Sequence, residues 1–247
     1  SVQQRQRIQE LSEDKLWWRL LHYRRGFPFY TVKSEVDGEG FFFHEKGQRS
    51  PELEMISSAE AFYQNILVGK HKQHPQCAFP ERYRYLKKEL SLDIQDVPCP
   101  ELQTHLDRLD PDSVALVYSS SHTGNPASMF GHTFLRINSR KTQDGKKKRA
   151  DLLEWGIGFA ANVPVDTNGL EFAVSGVFGG FESQFSLLPY YHKVNEYVNA
   201  ESRDLWEYNL TLSREQTLSL VRHIWEIETN SHFFYYFFDE NCSYQLM

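Results

Sequence analysis

The sequence lacks an excess of basic residues: 27 Lys+Arg stand against 33 Asp+Glu, a formal net charge of -6. That balance disfavours a broad nucleic-acid-binding face while allowing local basic patches. It also lacks any apolar run near the ~20 residues a membrane-spanning helix requires, and Ser1-Val2-Gln3-Gln4-Arg5-Gln6 contains no apolar signal region. The chain reads as soluble in the form given. Its start without Met and its stop at Gln245-Leu246-Met247 predict a processed piece of a longer protein, from which a signal or anchor has been removed. There is no internal repeat and no low-complexity linker. Cysteine is scarce and odd in number, at positions 77, 99 and 242. Cys77 and Cys99 sit in a Pro-rich stretch that a disulfide staples if the compartment is oxidising, leaving Cys242 as a free thiol; three reduced thiols are the alternative.

What is abundant is aromatic: 18 Phe, 13 Tyr and 5 Trp make up 15% of the chain. With 40% hydrophobic and 24% charged residues over 247 positions, the chain can bury about 70–75% of its unfolded surface, which excludes disorder as its main state. The length is about 1.6 domains at ~150 residues each. Residues 1–112 read as a helical layer. Ile8 and Leu11, then Leu16, Trp17, Leu20 and Leu21 behind Ser12, fall at helical spacing, and a loop-rich stretch follows to about residue 56. Ser57 with Glu60 predicts a capped helix through Leu67, and Pro100-Glu101 opens another carrying Leu102, Leu106 and Leu109. From residue 113 to 247 the pattern is strand-like: Val114–Tyr118, Thr133–Ile137 and Leu152–Phe159, the last two joined by a hairpin containing Asp144-Gly145. Ser213 with Gln216 caps a helix to about Glu228, and six consecutive aromatics, Phe233 to Phe238, precede Asp239-Glu240-Asn241-Cys242.

A nucleophilic cysteine needs help to become a thiolate, from an imidazole, a helix N-terminus or both. Asp239, Glu240 and Asn241 are cap-type residues, which predicts Cys242 in the first turn of a terminal helix, where the dipole and free N–H groups favour negative charge. The bland alternative is a buried small hydrophobe. His132 supplies a partner: small and turn-prone residues lead through Gly131 into a strand, so the imidazole is predicted at that strand's first position. A satisfied core histidine is the competing reading.

His at the start of a strand, followed about a hundred residues later by Asn-Cys, resembles the circularly permuted NlpC-type papain-like group that includes lecithin retinol acyltransferase. Asn241-Cys242-Ser243-Tyr244-Gln245 matches the motif of that enzyme only in its first two positions. A closer resemblance covers most of the chain. Cys77 to Tyr83, Ser128 to Ile137, Arg203 to Tyr208 and Asp239 to Tyr244 together resemble the Lnb-type periplasmic domain of bacterial lipoprotein N-acyltransferases. The resemblance implies an α+β fold with a permuted papain-like core, an antiparallel sheet and an N-terminal helical layer. It implies a thiol acyltransferase of the bacterial envelope, with Cys242 as nucleophile and His132 as base. The substrate would be a phospholipid or lipoprotein at a membrane surface, the acceptor an amine, and no cofactor is called for.

The third catalytic member is ambiguous. Glu154 is the obvious carboxylate, but a two-residue Asp144-Gly145 turn would place Ile157 opposite His132 and Glu154 on the other face, unless the loop is longer. Asn162 and a backbone or water partner compete. Asn241, Tyr190 and Tyr191 are candidates for substrate contact, Tyr190 and Tyr191 equally for ordinary packing. His71, His74 and Cys77 have ligand-like spacing without a fourth member, so no metal is expected. Lys146 to Arg149 reads as a solvated loop or a contact for anionic headgroups. Two rival readings remain: an NlpC-like cysteine peptidase or amidase acting on peptidoglycan, and a catalytically silent envelope module.

Overall fold

The computed structural model describes residues 2–26, 31–120, 131–140, 154–162, 174–176, 179–195, 204–236 and 244. The predicted hairpin loop at 141–149, Asn241 and Cys242 lie outside these residues. The chain forms two compact units, residues 1–102 with 222–233 and residues 103–221 with 234–247. The division at 112/113 expected from sequence misses the last stretch of the first unit, Arg222–Phe233, whose buried side chains bond within that unit.

In the first unit, α1 (Val2–Ser12) and α2 (Lys15–Leu20) fall where the apolar spacing places them. The cap of α2 is Asp14, which accepts from the Leu16 amide at 2.8 Å, while Ser12 turns back to the Gln9 carbonyl. The stretch expected as loop contains an antiparallel hairpin, β1 (Tyr23–Gly26) with β2 (Thr31–Ser34). Helix α3 spans Pro51–Ala61 rather than starting at Ser57. Ser50 caps it, Pro51 takes its first position, and Glu52 and Glu54 complement the dipole of its first turn, so the stronger start signal lies about two turns upstream.

Helices α4 (Pro75–Ala78), α5 (Pro80–Glu89) and α6 (Pro100–Leu109) follow. Cys77 and Cys99 are joined by a disulfide, with Cα atoms 5.3 Å apart. The core holds a fully buried Arg82, whose guanidinium carbon lies 4.5 Å from the Phe41 ring centroid and 4.3 Å from that of Phe79. Its Nη1 donates to Glu54 and to the Phe41 carbonyl, both at 3.0 Å, and Nε and Nη2 are left to the aromatic faces. Glu54 also accepts from the Phe43 and His44 amides and the Ser58 hydroxyl, so the buried charge is fully met. Ser58 thus serves the interior of α3 instead of opening it.

The second unit is built on β3 (Pro111–Ser119), β4 (His132–Ser139), β5 (Trp155–Ala161) and β6 (Phe181–Pro189), followed by α7 (Tyr190–Val194) and β7 (Leu205–Asn209). Helix α8 (Arg214–Asn230) and β8 (Phe233–Tyr235) complete the described elements. The Ser213–Gln216 capping box forms as expected, with reciprocal bonds of 2.8 and 3.2 Å. Among the described residues the six-stranded sheet runs in the order β7-β3-β4-β5-β6-β8, and each neighbouring pair from β7 to β6 is antiparallel.

Candidate active site

Gly131 and His132 mark the point where the chain enters β4. Gly131 has φ +85°, and a Cβ there would fall 2.6 Å from the Tyr118 hydroxyl and 2.7 Å from the Ser119 carbonyl, so glycine is required for this entry. His132 follows as the first residue of the strand, level with Ser119 of β3. Alternation then puts His132, Phe134 and Arg136 on one face of the sheet, with Ala115, Val117 and Ser119 beside them and Leu205 and Glu207 beyond on β7.

These side chains form a stacked row. The His132 and Phe134 rings lie 6.1 Å apart at 27°, and Phe134 meets Tyr190 of α7 at 6.1 Å. Phe134 and Val117 are fully buried with Tyr190, and Val194 and Leu205 pack against them. The Tyr190 hydroxyl donates to Glu207 at 2.5 Å, and Arg136 Nη1 holds the same carboxylate at 2.8 and 2.9 Å while its guanidinium covers the Tyr190 ring at 5.3 Å. Burial, and then the bond to Glu207, pushes the Tyr190 phenol well above its ordinary range. Tyr190 packs into the His132 face, as the alternative of ordinary packing has it. Tyr191, its neighbour, is exposed with its ring against His192.

The β4–β5 register differs from the two-residue-turn expectation. Leu135, not His132, faces Ile157, and only three pairs form, Leu135↔Ile157, Arg136↔Gly156 and Ile137↔Trp155. Two consequences follow. The parity reverses, so Glu154 is on the His132 side of the alternation. Yet the Glu154 carboxylate accepts from the Ser139 amide at 2.7 Å, and its carbonyl accepts from the Tyr190 amide at 2.7 Å. Ser139 is seven residues from His132, about 23 Å at ~3.3 Å per residue. Glu154 belongs to the far end of β4 and does not orient His132. Counting on along β5, Ala160 comes level with His132 and Asn162 beyond it on the same side, at the end where the two strands no longer pair. Asn162 is exposed there, its amide donating to the Glu182 carbonyl at 2.7 Å.

Sequence reasoning missed Arg136 and Glu207. The first is visible in the period-two alternation of the strand, four residues after His132; the second depends on β7, which carries no strand signal of its own. The His71, His74, Cys77 triplet does not converge. His71 stacks on Trp225 at 5.8 Å, His74 caps α4 by accepting from the Gln76 amide, and Cys77 is in the disulfide. No helix among the described residues is long and apolar enough to cross a membrane.

An antiparallel sheet carrying a histidine at a strand entry, with a disulfide in the helical layer, defines an α+β protein of an oxidising compartment. The chain belongs to the Lnb N-terminal periplasmic domain family, which matches residues 101–247. Residues 9–89 match a domain of unknown function, DUF7843. No curated protein and no solved structure matches the chain. Membership makes this a periplasmic protein of the bacterial envelope.

Proposed function

We propose that this chain is a thiol-dependent acyltransferase of the envelope, built on a permuted papain-like core, with Cys242 as nucleophile and His132 as base. The observation that carries the reading is the placement of His132: first residue of β4, fixed by Gly131 and the Phe134 stack, at the end where β4 parts from β5. An imidazole held at such an opening is positioned to take and return a proton.

In the first half-reaction the Cys242 thiolate adds to the ester carbonyl of an acyl chain on a phospholipid or lipoprotein. The C–O bond breaks, protonated His132 gives its proton to the departing oxygen, and a thioester remains. In the second, an amine such as a lipoprotein N-terminus adds to the thioester carbonyl. His132 takes the amine proton and the C–S bond breaks to return the thiolate. Asn241 and the exposed Tyr191 are assigned to substrate contact, and Lys146 to Arg149 to the membrane surface. Asn162 is assigned to orient the imidazole, in place of Glu154.

Intact-mass spectrometry after incubation with phosphatidylethanolamine vesicles tests this. The expected result is an acyl increment that maps to Cys242 and is lost in His132→Ala. Absence of the adduct together with release of peptides from purified sacculi would favour the peptidase, and absence of both a silent binding module.

A further inference from the structure

Strand β7 ends the six-stranded sheet and is bonded, among the described residues, to β3 alone. Its register runs unbroken from Leu205↔Ser119 to Asn209↔Ala115. The bonds flanking this ladder fix which groups face β3. The Ser120 amide donates to the Asp204 carbonyl at 3.0 Å, and the Leu210 amide donates to the Val114 carbonyl at 2.9 Å. Antiparallel strands exchange bonds at every second residue, so Trp206 and Tyr208 belong to the same inward set. The N–H and C=O groups of Leu205, Glu207 and Asn209 therefore point away from β3, toward an edge where no described strand follows.

Sheet edges are commonly blunted by lysine, proline or a bulge. Leu205-Trp206-Glu207-Tyr208-Asn209 has none of these. It displays Trp206 at 45% and Tyr208 at 58% exposure on the face away from His132, with the exposed Tyr118 ring 5.9 Å from that of Trp206. A row of alternating backbone donors and acceptors is complementary to an extended polypeptide, and an aromatic strip beside it receives every second side chain of that strand. A bilayer or a sugar would meet the rings and leave the backbone row to water. Charge narrows the occupant further. Asp204 is exposed and the Glu207 carboxylate half-buried, two negative charges against the one guanidinium of Arg136. A second copy fits poorly: joined through their outward groups over the whole strand, two β7 edges set Glu207 opposite Glu207, and like charges directly opposite destabilise a pair. We infer that the outer edge of β7 is a strand-addition site for an extended segment of a partner protein. That segment lays aliphatic side chains on the aromatic strip and a basic one beside Glu207. Capture of a strand here is independent of the chemistry proposed at Cys242.

The test follows amide exchange of the full chain by nuclear magnetic resonance. The probe is an acetylated seven-residue peptide alternating valine and threonine, with lysine at its centre or glutamate in its place. In the free chain the amides of 206 and 208 should exchange slowly and those of 205, 207 and 209 fast. The lysine peptide should slow 205, 207 and 209 and bind at least fivefold tighter than the glutamate peptide. Asn209→Pro removes one outward N–H and leaves the ladder to β3 whole, so it should retain its circular dichroism and weaken capture about fivefold, the worth of one hydrogen bond. If Asn209→Pro does not fold, Trp206→Thr, which strips the aromatic strip and keeps a strand former, decides by the same titration. No protection by either peptide, or equal affinity for both, overturns the inference. So does slow exchange of 205, 207 and 209 in the free chain: independent of protein concentration it means that the chain covers its own edge, and rising with concentration it means a second copy.

Discussion

The Glu154 carboxylate accepts the Ser139 backbone N–H at 2.7 Å, pinning the last residue of β4 to the residue just before β5. A buried carboxylate used in this way is a strand-end cap, so Glu154→Gln is expected to lower stability by about 1–3 kcal/mol. The rate of Cys242 alkylation should stay unchanged. Urea unfolding alongside thiol labelling checks both, and a slowed Cys242 in a fully folded variant would restore Glu154 as a catalytic candidate.

Asn162 carries the opposite expectation. Asn162→Ala removes an exposed side chain at the open end of β5 and should leave the unfolding midpoint within about 0.5 kcal/mol of the parent. Its signature is a changed pH midpoint for Cys242 alkylation. A profile superimposable on the parent would return the orienting role to backbone or water.

Tyr190→Phe keeps the ring on Phe134 and removes only the donor to Glu207. The expected cost is about 1–2 kcal/mol, against about 3–5 kcal/mol for Tyr190→Ala, which also opens a cavity under the His132 face. Equal losses in chemical denaturation would mean that the ring contributes nothing beyond its hydroxyl.

Acid should weaken the fold in a defined window. Burial, then Arg108, pulls His105 down to about 4, and burial, then His223 and Arg24, pulls His22 down to about 3. The unfolded chain therefore binds protons at these sites from near pH 6.5 downward while the folded chain does not. Stability is full above that pH and falls by up to about 1.4 kcal/mol per unit for each group as pH drops, until its folded pKa is reached. Denaturant midpoints at pH 7 and pH 5 measure this, and His105→Gln should flatten the dependence by one group's share.

Reducing the Cys77–Cys99 bond reopens a 22-residue separation, which by loop entropy costs about 3 kcal/mol. The melting temperature with and without reductant reports it. Replacing both cysteines by Ala should reproduce the reduced midpoint.

The sequence made His132 legible because small residues and glycine before a β-branched and apolar run announce a strand entry. The helices with caps and periodic leucines, α1, α2, α6 and α8, were legible for the same local reasons. The register of β4 against β5 was not, since it depends on the geometry of the connecting loop and a shift of three residues reverses every parity statement. Strand β6 had a readable alternation, with Phe181, Ser183 and Phe185 buried and Glu182 and Gln184 exposed, obscured by the glycines before it. Strand β7 had none: Leu205-Trp206-Glu207-Tyr208 is exposed over most of its length and is held by pairing with β3. The bonds from the Glu81 and Arg82 amides, at the start of α5, to the Glu226 carboxylate of α8 were invisible, because these partners lie far upstream in the chain and a lone glutamate on a helix reads as solvated.

The first unit is discontinuous, residues 1–102 being completed by 222–233. As the chain enters the oxidising compartment from its N-terminus, the unit's opening portion emerges more than a hundred residues ahead of the helix that finishes it. In that compartment the disulfide needs only the chain up to residue 99, whereas the Glu81 and Arg82 amides at the start of α5 wait for the Glu226 carboxylate. Folding of this chain is therefore governed by a late, long-range closure, the kind of step that slows folding and prolongs exposure of unfinished surface.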